Sequence, residues 1–307
     1  MTCQDDPRQA VVLDGRLQEV RRVDVPLASD TASYAVSPDG SMLAASLEDG
    51  IQVAGPDVGW RRGHGSWSDF PSGLGACAFS PDGTEVWATV RPGDPDDEDP
   101  DGECGDPEQE DSEGWGDECW VLDAVTGKVL GRTSMDSEMS YSHLTVHPDG
   151  RHVGVVVSEG QDGSFGYWLR REGNRLVKTP TDLMGRHDRS LVAVAPDGRH
   201  YLNQGWVTLS THSFPGAELL TERPAADVLL RGRPWNYVFG YYDASTVLAT
   251  VADDDGVAST VVLRAPSLEL LGEVEYPVRT RPRAVVCAGD GSWLTVDGTD
   301  LVRWSLG

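Results

Sequence analysis

The 307-residue sequence predicts an all-β fold, a β-propeller of six four-stranded antiparallel blades, on three observations. A short turn motif recurs along the chain at a near-constant spacing. Each copy lies between two apolar runs of strand length. No stretch of a dozen residues carries the apolar periodicity of an amphipathic helix. Four short strands in each repeat of about 45 residues is the pattern by which propeller blades are built.

The turn motif reads Ser37-Pro38-Asp39-Gly40, Ser80-Pro81-Asp82-Gly83, His147-Pro148-Asp149-Gly150 and Ala195-Pro196-Asp197-Gly198. Tyr242-Asp243-Ala244-Ser245 and Gly289-Asp290-Gly291 are degenerate copies. The aspartates at 39, 82, 149, 197, 243 and 290 leave gaps of 43, 67, 48, 46 and 47 residues. The long gap holds an acidic insertion of about 24 residues, without which the repeat returns to step. Proline presets φ at the first corner of a type I turn, aspartate suits the second, and glycine takes the left-handed position that follows. Such a turn joins two antiparallel strands.

The strands follow in order. First strands precede the turns at Tyr34-Ala35-Val36, Cys77-Ala78-Phe79, Leu144-Thr145-Val146 and Val192-Ala193-Val194. Second strands follow at Met42–Ala45, Val86–Thr89, Val153–Val156 and Val247–Thr250. Third strands appear at Trp120–Asp123 and Tyr167–Leu169, and a fourth at Lys128–Gly131. Six turns predict six blades. The last unit has strands near Arg283–Cys287, Trp293–Val296 and Leu301–Ser305. The N-terminal run Leu17–Val23 is expected to supply its fourth strand and close the ring, which removes exposed sheet edges. Val11-Val12-Leu13 supports a second N-terminal strand and the alternative of seven blades. Residues 1–9 read as a flexible tail. Residues 10–307 read as one propeller domain, with the acidic insertion 92–119 in the second blade.

Two segments carry a family resemblance. Asp123-Ala124-Val125-Thr126-Gly127-Lys128-Val129-Leu130 is similar to the strand-turn-strand that follows the Trp-Asp dipeptide of WD40 repeats. Gly185-Arg186-His187-Asp188-Arg189-Ser190-Leu191 resembles the stretch around their Gly-His pair. From about Leu13 to Gly307 the chain resembles WD40-like and TolB-type (PD40) propeller repeats, although no unit carries the full Trp-Asp ending. The resemblance implies the fold and is nearly silent on activity, because such propellers host many functions. Six-bladed propellers include lactonases, lyases and cyclases, and from these it implies only a location, the channel mouth.

Charge narrows the partners. Asp and Glu number 50 against 25 Lys and Arg, a net charge of -25, which argues against a phosphate backbone and against anionic lipid as partners. The apolar runs are too short to span a bilayer, and the N-terminus lacks the basic and apolar regions of a signal peptide, so the expected location is the cytoplasm. Cys3, Cys77, Cys104, Cys119 and Cys287 are too scattered for a disulfide scaffold and show no zinc spacing. Cys77 and Cys287 fall in apolar strand runs and are expected to be buried and inert. Cys104 and Cys119 would pair only as a redox-sensitive clasp, and a cytoplasmic setting favours free thiols.

Loops entering first strands lie nearest a propeller's channel, and here they differ in charge. The early ones hold Asp30, Asp69, Asp136 and Glu138; the later ones hold Arg186 and Arg189, then Arg231, Arg233 and Trp235, then Arg279, Arg281 and Arg283. Seven of the 23 arginines thus recur at equivalent positions, a grouping suited to carboxylate or phosphate recognition. Pairing of each arginine with a neighbouring carboxylate is the plainer reading. Trp60, Trp67, Trp115 and Trp235 are placed in loops, where tryptophan favours a binding surface. Trp87, Trp120, Trp168, Trp293 and Trp304 are placed between blades.

The insertion Pro92–Cys119 holds 14 acidic residues and no Lys or Arg; without it the net charge falls to -11. Within it Asp97, Asp99, Asp101, Glu103 and Glu108 fit a D-x-D-x-D-G-x5-E spacing, a set of hard oxygens that admits Ca²⁺. Asp253-Asp254-Asp255-Gly256 is a weaker version. The insertion is also expected to reach the arginine loops and compete with acidic ligands. His143, His147 and His187 stand near first strands and are the candidates for an acid or base. Histidines so placed also serve simply to satisfy backbone groups.

Together these features predict a monomeric, non-catalytic binding platform whose channel mouth takes a protein partner or a small anionic ligand. No nucleic acid or membrane partner is expected, and Ca²⁺ is the one cofactor the pattern admits. The alternative is a small-molecule enzyme, lyase, cyclase or lactonase-like, working at the same mouth.

Overall fold

Turn residues set the chain into short antiparallel strands, and strands make up nearly all of the regular structure. The computed structural model describes residues 9–14, 16–24, 33–65, 75–91, 116–135, 137, 141–158, 164–182, 189–205, 207–228, 235–252, 258–276, 286–297 and 300–306. Two compact units are present, one of residues 1–146, 150–163 and 169–178, the other of residues 147–149, 164–168 and 179–307.

In the first unit β1 (Gln9–Leu13) and β2 (Glu19–Asp24) form a two-stranded hairpin. Next, β3 (Ser33–Val36), β4 (Leu43–Leu47), β5 (Gly50–Ala54) and β6 (Gly59–Gly63) pair in chain order. So do β7 (Cys77–Phe79), β8 (Glu85–Val90), β9 (Glu118–Asp123) and β10 (Val129–Ser134). A further four-stranded sheet comprises β11 (Tyr141–Val146), β12 (His152–Ser158), β13 (Ser164–Glu172) and β14 (Arg175–Asp182). The second unit holds β15 (Ser190–Val194), β16 (His200–Gln204), β17 (Thr208–Ser213) and β18 (Leu219–Pro224), followed by a single 3-10 turn at Ala225–Asp227. It also holds β19 (Trp235–Asp243), β20 (Thr246–Ala252), β21 (Ala258–Arg264) and β22 (Glu269–Val274). The last sheet has three strands, β23 (Val286–Cys287), β24 (Trp293–Asp297) and β25 (Asp300–Trp304).

One expected pairing is replaced by another. Leu17–Val23, expected as the fourth strand of the last sheet, instead folds back on β1, with Val11 opposite Arg22. The cause is local: Asp14 Oδ1 accepts the Arg16 and Gln18 amides at 2.8 and 2.9 Å, and Leu17 adopts a φ of 59°. That tight turn commits the segment to a hairpin.

The tetrapeptide turns have the expected geometry. Gly40, Gly83, Gly150 and Gly198 have φ between 69° and 73°. In the first copy Ser37 donates to Asp39 Oδ1 at 2.6 Å and accepts the Met42 amide at 2.8 Å; Ser80 does the same with Asp82 and Glu85 at 2.6 and 3.0 Å. The turns also pack on one another. A Cβ at Gly83 would stand 3.4 Å from Pro38 Cδ, and one at Gly150 would stand 3.7 Å from Pro81 Cδ.

Each unit has its own core. Ile51, Val53, Phe79, Val86, Val90, Trp120 and Leu122 pack in the first; Leu202, Leu209, Tyr241, Val247, Val261 and Leu263 pack in the second. Second strands are buried on both faces, as five consecutive buried residues in β4 show, so they read as continuous apolar runs rather than alternating ones. Trp87, Trp168 and Trp293 are among the largest fully buried side chains, and Trp120 is buried too. Among the described residues no helix is long and apolar enough to cross a membrane.

Candidate functional site

Of the arginines grouped at first-strand loops, Arg186, Arg231, Arg233, Arg279, Arg281 and Arg283 lie outside the described residues, as does His187. The same holds for Asp97, Asp99, Asp101, Glu103 and Glu108, for Asp253–Gly256, and for Cys104, Trp67 and Trp115. Arg189, Trp235, His143 and His147 are within them.

Arg189 stands immediately before β15. Its guanidinium is ion-paired with Glu222 of β18, and its carbonyl accepts the Ser164 hydroxyl at 3.0 Å. A carboxylate therefore already occupies one side of this cation. Trp235 opens β19, opposite Val251, and so belongs to a strand rather than a loop. Trp60 likewise lies in β6, not in a loop. Its indole donates to the Ala124 carbonyl at 3.0 Å and packs against Gly127, where a Cβ would come within 2.7 Å of the ring. The reason is the neighbouring sheet: β6 lays Trp60 on the turn after β9, and Arg62 lies 5.6 Å from the centroid of the Trp120 ring.

His143 sits within β11 opposite Val156, open to solvent on one side and packed against protein on the other. Desolvation by the surrounding protein lowers its pKa, so the neutral imidazole is the dominant form at neutral pH. His147 occupies the slot held by serine in the first two turns and is buried. Its Nε2 donates to the Gly198 carbonyl at 2.9 Å, and its Nδ1 accepts the Asp149 amide at 3.2 Å. Nδ1 also lies 3.1 Å from Asp149 Oδ1, so the ring meets Asp149 through both its amide and its carboxylate. The ring stacks on Phe214 at 3.8 Å and meets the edge of Trp168 at 5.8 Å.

Sequence reasoning missed the rest of this aromatic group. Trp168 also contacts Tyr201 and Phe214 edge-on, and Tyr201 stacks on His212 at 5.3 Å. Burial lowers the pKa of His212, whose Nε2 lies 3.1 Å from the Ser210 hydroxyl. His200 meets Tyr241 edge-on at 5.3 Å; burial lowers the histidine's pKa and raises that of the tyrosine. These histidines are thus held neutral by packing. The thiols are similarly quiet. Burial pushes Cys77 up to about 11 and Cys287 up to about 12, which removes the thiolate at neutral pH. Cys119 is a buried free thiol, raised further by the same cause.

The chain matches no protein-family model and no curated protein. Solved structures resemble it throughout. Hydrazine synthase of Kuenenia stuttgartiensis is 12% identical with a TM-score of 0.61, over 98% of this chain and 90% of that one. The Cps50 (Swd1) β-propeller domain of Myceliophteria thermophila is 10% identical with a TM-score of 0.61, over 97% and 90%. Dihydro-heme d1 dehydrogenase NirN, in complex with DHE, is 13% identical with a TM-score of 0.56, over 97% of this chain and 59% of that one. At such identities the likeness shows the fold: the four-stranded sheets are the blades of a β-propeller.

Proposed function

We propose that the chain is a non-catalytic, WD40-like binding platform that takes a protein partner or a small anionic ligand on its first-strand loops. Arg186, Arg189, Arg231, Arg233, Arg279, Arg281, Arg283 and Trp235 would form the contact. One observation carries the non-catalytic part of this reading. His147 has one ring nitrogen on the Gly198 carbonyl and the other on the Asp149 amide, so both are engaged in structural hydrogen bonds. We extend the reading to six blades of the WD40-like or TolB type in one propeller domain, to a monomer in the cytoplasm, and to Ca²⁺ on Asp97, Asp99, Asp101, Glu103 and Glu108. The test is affinity capture with the full chain and with an Arg233→Ala/Arg281→Ala chain. Partners or anionic ligands retained by the first and lost from the second support the reading, and identical retention overturns it. Calorimetry with CaCl₂ tests the metal, and absence of heat at millimolar concentration removes it.

A second reading has its own observation. His143 lies in a first strand, and desolvation lowers its pKa, which favours the neutral imidazole a general base requires. Lyase, cyclase or lactonase-like chemistry on an anionic substrate would use it together with the arginines. Turnover in a substrate screen that is lost in His143→Ala favours this reading.

A further inference from the structure

The outermost strand of a sheet turns alternate backbone amides and carbonyls away from its neighbour, and natural proteins blunt such edges with charged side chains, Lys above all, with Pro or with a bulge. Among the last strands of the sheets from β3 to β25, all but one carry Lys, Arg or Pro. β6 carries Arg61 and Arg62, β10 carries Arg132, and β14 carries Arg175, Lys178 and Pro180. β18 carries Arg223 and Pro224, and β25 carries Arg303. β22, which reads Glu-Leu-Leu-Gly-Glu-Val, has none of them, and it is the outermost strand of its sheet.

From Glu269 to Tyr276 exposed and half-buried residues alternate strictly. Val274 and Tyr276 turn inward against Tyr242, Leu248, Val262 and Trp293. Leu271, 47% exposed, and Glu273 and Glu275 form the other row. The register slips once, at Leu271; beyond it Gly272, Glu273 and Val274 face Val262, Val261 and Thr260 in unbroken pairing. The regular edge therefore covers Gly272–Val274, and Glu275 and Tyr276 continue beyond the end of the strand. Glu269 is paired with Arg264 at 3.3 Å, whereas Glu273 and Glu275 have no cation in ion-pair range among the described residues.

We propose that β22 is a docking edge for a basic, extended segment of a partner protein, bound by strand addition. Lys or Arg at alternate positions would meet Glu273 and Glu275, and an apolar side chain would cover Leu271. Charge selects this occupant. A second β22 would bring glutamate against glutamate, and the net charge of -25 repels another copy of the chain while drawing in a cation. Strand addition then supplies backbone hydrogen bonds, with the alternate side chains setting specificity. The edge is separate from the first-strand loops, so it stands or falls independently of them.

The probe is a fluorescent heptapeptide, Lys-Val-Lys-Val-Lys-Val-Lys, bound to the full chain and followed by anisotropy and by amide hydrogen exchange. The expected result is protection across Gly272–Tyr276, no binding of the Glu-for-Lys peptide, and affinity lowered about tenfold in Leu271→Lys/Glu273→Lys. Leu271→Ser, which leaves the charge unchanged, should lower affinity by a smaller factor. The acidic stretch 92–119 attracts any polycation, so a chain lacking residues 93–115, which keeps β9 whole, is measured in parallel. Persisting protection of β22 in that chain supports the proposal. Binding that vanishes with the deletion, or protection that leaves Gly272–Tyr276 untouched, overturns it.

Discussion

The turns that begin at Ser37 and at His147 share a backbone and differ in one side chain. Ser37 closes its turn on itself, through Asp39 and the Met42 amide. His147 accepts the Asp149 amide, two residues on rather than five, and also reaches the next copy of the motif, at the Gly198 carbonyl, and stacks on Phe214. The same Pro-Asp-Gly geometry therefore serves two ends. With serine the turn stabilises one hairpin; with histidine it also fastens one repeat to the next. Pro38 and Pro81 make weaker versions of that contact, by packing against Gly83 and Gly150.

Glycine substitutions give the largest effect and the sharpest contrast. Gly198 has a φ of 71°, and a Cβ there would stand 2.8 Å from His147 Cε1. Ring and backbone are both held, so Gly198→Ala should cost about 3 kcal/mol or more, from the left-handed backbone and from overpacking. Gly83 has nearly the same φ, 73°, but its Cβ would meet Pro38 Cδ at an ordinary 3.4 Å. Gly83→Ala should cost about 1–2 kcal/mol, the conformational part alone. Urea unfolding of both variants reads the difference. Equal losses would mean that His147 does not clamp its neighbour.

Converting the histidine turn into the serine type is the next step down. His147→Ser keeps a hydroxyl for the local amide but removes the ring stack and leaves the Gly198 carbonyl without its donor. A loss of about 2 kcal/mol is expected. A loss near zero would place the repeat-to-repeat contact in Trp168 and Tyr201 instead.

What was legible in the sequence follows the range of the interactions. The turns were plain because proline and glycine act on their own backbone. The hairpin of β1 and β2 was legible too, since Asp14-Gly15 is a hairpin signal, although the same run also fits the missing fourth strand of the last sheet. Trp60 was misplaced for a different reason. Gly59-Trp60-Arg61-Arg62-Gly63 has no apolar alternation, and the carbonyl that holds its indole lies 64 residues away, at Ala124. At the candidate site, the His147 slot was visible from the motif, whereas Gly198 and Phe214 join it only through packing between sheets, and Trp168 from β13 of its own sheet. Arg189 shows the same limit, because its Glu222 partner comes from the fourth strand of its sheet.

The smallest effects belong to the serine turns. Ser37→Ala and Ser80→Ala should each cost about 1 kcal/mol, one local hydrogen-bond set apiece. These turns also carry a pH signature. Hydrogen bonds from Ser37 and from the Ser41 amide hold the Asp39 carboxyl down to about 2, and similar bonds lower Asp82 and Asp290. A carboxyl with a lowered folded pKa binds fewer protons than in the unfolded chain. Its stabilisation is therefore complete above the ordinary carboxylate range and is lost as pH falls from about 4 towards about 2. Ser37→Ala removes the first-named cause at Asp39, so the variant's stability should depend less steeply on pH across that window. His147→Ser should leave the Asp39 contribution untouched, because its turn lies in another sheet. Urea midpoints measured from pH 5 to pH 2 separate the two. A Ser37→Ala curve parallel to that of the parent would show that the serine contributes to the turn without holding the aspartate.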